Sequence, residues 1–210
     1  MVKIQEMFGV QELPHGLFYS FDLALRFELG GEEFGMERPM RRFTQANERS
    51  KAISKKFFEN SPEVFVLLSS YGMEQPDKKR LAPLKLCGIE QSEFKYLGKT
   101  PQQDNDHISE FGSDLFRHWD VVKLKDRQSI SEILWLVIAS EMIIEPSFRG
   151  MVSAYIVDLS NGLILHVYDD RGMDVIATKY APLKTLFTTY RTWLLGHDLL
   201  QMTAKFEDDT

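Results

Sequence analysis

The feature that most narrows the folds open to this chain lies in its C-terminal third, where three strand-like runs are followed by a helix with one apolar face. The runs are Met151–Leu159, Gly162–Tyr168 and Met173–Thr178. Ser160-Asn161-Gly162 and Asp169-Asp170-Arg171-Gly172 separate them. Both are turn chemistries: Asp and Asn side chains bond the backbone two residues on, and Gly takes the left-handed position. Connections this short join antiparallel neighbours, so a meander is expected. Beyond it, Pro182 reads as the first helical position. Leu183, Leu186, Phe187, Tyr190, Trp193 and Leu194 then recur on one face until Gly196 closes the pattern. That helix is expected to lie across the meander and cover it.

The remaining segments add strands and helices without βαβ alternation, which gives an α+β class. Leu23–Leu29 alternates and stops at Gly30-Gly31, as a half-buried strand would, with Arg26 and Glu28 on one face. Ala46, Ile53 and Phe57 recur at helical spacing within 44–60, and Asn60-Ser61-Pro62 supplies a stop. Val64–Leu68 is a continuous β-branched and aromatic run, expected as an interior strand. Pro76 suits the first turn of a helix through Arg80 that Pro83 would end. Phe94–Leu97 and Leu115–Leu124 read as strands, and the polar stretch 98–106 reads as the most exposed loop. Ser129 and Glu132 form a capping box for a buried helix over 130–144, ended by Pro146. No repeat or linker divides the chain, so a single domain is expected, its one soft boundary lying near 98–106.

Composition supports a real core: 43% of the 210 residues are apolar, and fifteen are Phe. Net charge is -6 and the pI is near 5.4, which argues against direct nucleic-acid binding by the whole surface. Cys87 is the only cysteine, so no internal disulfide forms and a reducing cytoplasm is the expected location. The longest apolar run, Ile133–Ala139, is too short to span a membrane, and Met1–Val10 does not read as a signal peptide.

Chemistry is harder to find. No glycine-rich phosphate loop, HExxH pair or cysteine cluster is present, so neither a cofactor nor a metal is expected. Two features stand out. His166 shares a strand face with Ile164 and Tyr168 and leads toward Asp169, Asp170 and Asp174, a set able to bind a hard metal or divide acid and base roles. The plainer reading of Asp169-Asp170-Arg171-Gly172 is an ordinary turn. The second feature is residues 38–56, with seven basic residues against Glu48 alone. Arg42 and Arg49 fall two turns apart on nearly one face. With Arg26 they form a candidate anion site, against which stands the reading of a solvated helix face.

The run 165–177 (LHVYDDRGMDVIA), followed by Tyr190, Trp193-Leu194-Leu195 and Asp198, resembles an uncharacterised bacterial family defined by a domain of unknown function. Residues 25–30 (LRFELG), with Arg42, Gln45-Ala46 and Arg49 after them, resemble the same family's N-terminal pattern. The resemblance supplies no activity. By analogy with small families that accompany bacterial toxins, it implies an immunity protein: a non-enzymatic binder that occludes a cognate toxin. An acidic domain suits a basic, RNA-cutting toxin through charge complementarity. The expected contact residues are Asp104, Asp106 and Glu110 in the loop, and Asp169, Asp170 and Asp174 at the hairpin. The alternatives are a hydrolase built on His166 with Asp169, Asp170 and Asp174, and an anion-responsive module using Arg26, Arg42 and Arg49.

Overall fold

A computed structural model describes residues 1–31, 37–101, 108 and 114–207. Its strands are β1 (Ala24–Glu28), β2 (Phe65–Gly72), β3 (Lys95–Pro101), β4 (Phe116–Lys123), β5 (Val152–Asp158), β6 (Leu163–Val167) and β7 (Gly172–Ala177). They form one sheet in the order β1-β7-β6-β5-β2-β4-β3, with every neighbouring pair antiparallel. The helices among the described residues are α1 (Val2–Phe8), α2 (Leu17–Ser20), α3 (Pro39–Phe57), α4 (Gln128–Glu141), α5 (Tyr180–Thr189) and α6 (Leu199–Phe206). The fold is α+β, and β5-β6-β7 is the expected meander.

Strand alternation divides the sheet into two unlike faces. One carries Leu25, Phe27, Val175, Leu165, Ile156, Val66 and Leu68, all buried. Helices α3, α4 and α5 lie over this apolar face. The other face carries Arg26, Asp174, His166, Tyr155, Ser69 and Arg117, and the N-terminal segment 9–20 with α2 covers it. A buried polar face needs partners for every polar group. Some come from neighbouring strands, and this irregular N-terminal strap adds the Phe18 N–H and the Leu13 and Pro14 carbonyls.

Several expectations are corrected. The C-terminal helix stops at Thr189 instead of reaching Leu194, and Pro182 is its third residue. Leu194 instead makes a β-bridge to Phe27, and the Leu195 N–H donates to the Arg26 carbonyl at 3.0 Å. The outer edge of β1 would otherwise expose unpaired backbone groups, and closing it takes precedence over the helical pattern. Residues 98–101, read as loop, are strand: they pair with β4, with a bulge between Tyr96 and Gly98. No α-helix forms at Pro76; a turn at 78–81 leads into a 3-10 helix, Ala82–Cys87, with Pro83 in its first turn. Ser129 is not a cap. Asp126 accepts the Gln128 N–H at 2.9 Å, so α4 begins earlier and Ser129 falls inside it.

Candidate functional site

Directly opposed residues on adjacent strands share a face, and the register aligns four chemically active ones. Arg26 on β1 lies opposite Asp174 on β7, Asp174 opposite His166 on β6, and His166 opposite Tyr155 on β5. Arg26 and Asp174 form a bidentate pair, Nε to Oδ1 at 2.7 Å and Nη2 to Oδ2 at 2.9 Å. The Phe18 backbone N–H adds a third bond to Asp174 at 3.0 Å. Asp198 approaches the guanidinium at 3.7 Å and accepts the Tyr19 hydroxyl at 3.1 Å. The rings of Tyr19, Phe18 and Tyr168 stand 4.5, 5.2 and 5.2 Å from the guanidinium carbon.

The electrostatics follow from this enclosure. Burial disfavours the Arg26 charge, but hydrogen bonding to Asp174 and its field outweigh that and raise the Arg26 pKa. Burial pushes the Tyr168 phenol up, only partly offset by Arg26. His166 is 1% exposed, and burial holds its pKa down to about 4, so the ring is neutral at physiological pH. It stacks on Tyr155 with centroids 4.3 Å apart, and its Nδ1 lies 3.1 Å from the Ala154 carbonyl. A neutral, enclosed imidazole between stacked ring and carbonyl is a core group.

The polar seam continues into β4. Arg117 is 2% exposed and donates to Ser69 Oγ at 3.1 Å, the Leu13 carbonyl at 2.8 Å and the Tyr155 hydroxyl at 3.1 Å, with Trp119 4.3 Å away. On the opposite face, Arg80 and Asp120 form a second buried bidentate pair with both bonds at 2.7 Å. Beside it, His118 Nε2 lies 2.9 Å from the Met73 carbonyl and Nδ1 lies 2.8 Å from the Tyr96 hydroxyl. A carbonyl only accepts, so Nε2 donates to Met73. The sequence reading missed Arg80, Arg117, Asp120 and Tyr19. A usable signal exists in 115–124, where Arg117, His118 and Asp120 interrupt an otherwise apolar strand at positions of both parities.

The residues expected to meet a partner or substrate are largely committed to one another. Asp169 accepts the Arg171 N–H at 2.7 Å and the Gly172 N–H at 3.2 Å, and pairs with the Arg171 guanidinium. This is the turn reading. Gly172 does not adopt the left-handed conformation expected of it; a Cβ there would fall on the Tyr168 hydroxyl and 2.8 Å from the Phe27 carbonyl oxygen. Asp170 pairs with Arg42, and Asp174 is enclosed by Arg26. Arg49 donates to the Glu28 carbonyl at 3.1 Å, lies 3.8 Å from its carboxylate and stands over Trp193. Arg26, Arg42 and Arg49 are thus held by separate carboxylates: Asp174 and Asp198, Asp170, and Glu28. Asp104, Asp106 and Glu110 lie outside the described residues. Among the described residues no group of three or more His, Cys, Asp or Glu is arranged to hold a metal. Cys87 is buried, and burial with the Glu132 field pushes its thiol up to about 11, away from nucleophile chemistry.

What the described surface does present is a groove on the outer side of α3 and α4. Its first section encloses about 530 Å³ and is lined by Met40, Phe43, Leu86 and Trp135, with Glu48 and Glu132 beside them. Met40 is 61% exposed, Leu86 68% and Trp135 39%. Trp135 stands edge-on to the buried Phe43 with ring centroids 4.5 Å apart, and the two rings form the groove floor. A second section of about 760 Å³ continues along Lys51, Lys55, Arg127 and Gln128, sharing Lys51, Ser131 and Glu132 with the first.

A family model described as a domain of unknown function, DUF3885, matches residues 2–198. Over 204 residues the chain is 21% identical to a protein of Bacillus subtilis (strain 168) named uncharacterized protein YnaE, spanning 91% of this chain and 94% of that one. No solved structure matches the chain.

Proposed function

The chain belongs to the DUF3885 family, whose description carries no activity, and from that premise we propose that it is a non-enzymatic module that binds another protein. The observation that carries this reading is the α3–α4 groove, where exposed Met40, Leu86 and Trp135 gather over buried Phe43 beside Glu48 and Glu132. Scattered apolar residues are ordinary on a surface; a lined groove of them marks an interaction site. In the first section Glu48 and Glu132 outnumber Lys51, and with the net charge of -6 this suits a basic partner that seats an apolar side chain between Met40, Leu86 and Trp135. The most concrete partner is a cognate bacterial toxin, which the module neutralises in the cytoplasm by covering its active site. The hydrolase alternative loses ground because His166 and Asp174 are shut away from solvent and Asp169 and Asp170 are tied to Arg171 and Arg42.

The test is co-expression with the product of the adjacent gene. A stable complex is expected, with Leu86→Glu and Met40→Glu each weakening it by about tenfold or more, as truncation of groove anchors does. Both side chains are largely exposed, so thermal stability is expected to hold. Failure of the pair to associate, or undiminished binding by both variants, would overturn the proposal.

A further inference from the structure

The two sections of the α3–α4 groove differ in character along its length. Trp135 of α4 meets Phe43 near the start of α3, and Arg127 at the start of α4 reaches the Phe58 and Glu59 carbonyls beyond the end of α3, so the two helices run antiparallel. At about 1.5 Å per residue, the flank of α3 from Met40 to Lys55 is roughly 22 Å long. Its first part is apolar, with Glu48 and Glu132 at the side. Its second part carries Lys51, Lys55 and Arg127. These charges are uncompensated. Arg42, Arg49 and Lys56 of α3 each hold a carboxylate, whereas Lys51 and Lys55 are exposed and form no ion pair among the described residues. Glu48 and Glu132 are likewise exposed, and neither is paired among the described residues. Arg127 donates to carbonyls, which leaves its positive charge unmatched. Glu59, which also lines the second part, is held by Lys56 at 2.8 Å.

We infer that the groove takes an amphipathic helix of the partner, about four turns long, with its charges segregated along its length. The inference rests on the protein-binding reading above and specifies the segment that is bound. A helix is the fitting occupant because α3 and α4 have their backbone groups bonded internally and offer the groove side chains. An extended segment would find no backbone partners there, whereas a third helix satisfies its own and seats a ridge of side chains between two others. Apolar residues at i, i+3 or i+4 of that helix fill the space between Met40, Leu86 and Trp135. A basic side chain beside them meets Glu48 and Glu132, and acidic side chains one or two turns further along meet Lys51, Lys55 and Arg127. A uniformly basic helix would set like charges against Lys51 and Lys55, so the order of charges selects the partner by repulsion as well as by attraction.

The experiment titrates the full chain into two fluorescent helical peptides of about sixteen residues. Both carry leucines at i, i+3, i+4 and i+7 with a flanking arginine in one half; the other half carries glutamates in the first peptide and glutamines in the second. The glutamate peptide is expected to bind roughly fivefold more tightly, as two or three exposed ion pairs give. The double variant Lys51→Glu, Lys55→Glu is expected to reverse that preference, and both side chains are exposed, so the fold is kept. Leu86→Glu is expected to weaken both peptides about tenfold. Equal affinity of the two peptides for the wild type, a preference retained in the double variant, or saturable binding by neither peptide would overturn the inference. A complex with the adjacent gene's product that responds to Leu86→Glu but not to the double variant would also overturn it, while leaving the protein-binding reading in place. Peptide binding as expected without any such complex would instead uphold the helix site and remove the toxin.

Discussion

At the scale of single residues, the chain places its most reactive-looking groups where they cannot react. Asp174 is fully buried, with both oxygens engaged by Arg26 and one also by the Phe18 N–H. Such a pair adds little net stability over an apolar replacement, but losing one partner leaves a buried charge unmatched. His166 makes a pH-dependent contribution. Its folded pKa, about 4, lies below its ordinary 6.5, so between these values the unfolded chain binds a proton that the folded chain refuses. Stability is therefore complete above pH 6.5 and is lost as pH falls toward 4, by on the order of 3 kcal/mol. Urea unfolding of the wild type and of His166→Phe at pH 7 and pH 4.5 checks this. The wild type is expected to lose more stability than the variant over that interval, and equal losses would refute the assignment. The run 165–174 identified the residues involved, but not that Arg26 from a distant strand neutralises one of them.

At the scale of elements, helix ends show how local signals compete. Ser129 and Glu132 match a capping box, yet Asp126 accepts the Gln128 N–H and starts α4 before Ser129. Asp126→Ala is expected to cost about 1 kcal/mol and Ser129→Ala under about 0.5, a ranking measurable by thermal unfolding. The reverse order would restore the capping box. Arg127, the α4 N-cap residue, also reaches across to the end of α3 and donates to the carbonyls of Phe58, Glu59 and Ser61. These carbonyls follow the last residue of α3, and that of Phe58 also accepts the Ser61 N–H at 3.1 Å. One arginine thus ties the start of α4 to the segment that follows α3 and lines the second section of the groove. The basic stretch 38–56 is resolved in the same way: Arg42 and Arg49 face inward to carboxylates, while Lys51 and Lys55 are exposed along the groove.

For the whole molecule, the asymmetry between the two sheet faces governs stability. The apolar face is closed by three helices, whereas the polar face depends on hydrogen bonds from the strap: the Leu13 and Pro14 carbonyls take Arg117 and Tyr155, and Tyr19 holds Asp198. Deleting residues 1–16 removes the carbonyl acceptors and uncovers a buried guanidinium. The truncated chain is expected to lose its sharp thermal transition and bind a hydrophobic dye. A cooperative transition near the full-length temperature would show the strap to be dispensable. The net charge of -6 says little about this interior, since Arg26 with Asp174, Arg117 with Glu12 and Arg80 with Asp120 cancel pairwise.

By itself the sequence determined the meander, its two turns, the interior position of β2 and the α+β class, because hydrophobic period and turn chemistry are local properties of the chain. It also carried the family pattern in LRFELG and in HVYDDRGMDVIA. Only the tertiary structure decided what those motifs are for. Arg26 and Asp174 lie 148 positions apart and meet through the β1–β7 register, so their pairing appears in neither motif alone. The β6–β7 hairpin is a turn, with Asp170 on Arg42, Asp169 on Arg171 and Gly172 against Tyr168. The α3–α4 groove proposed as the binding surface is assembled from segments far apart in the chain, and no periodicity in the sequence records it.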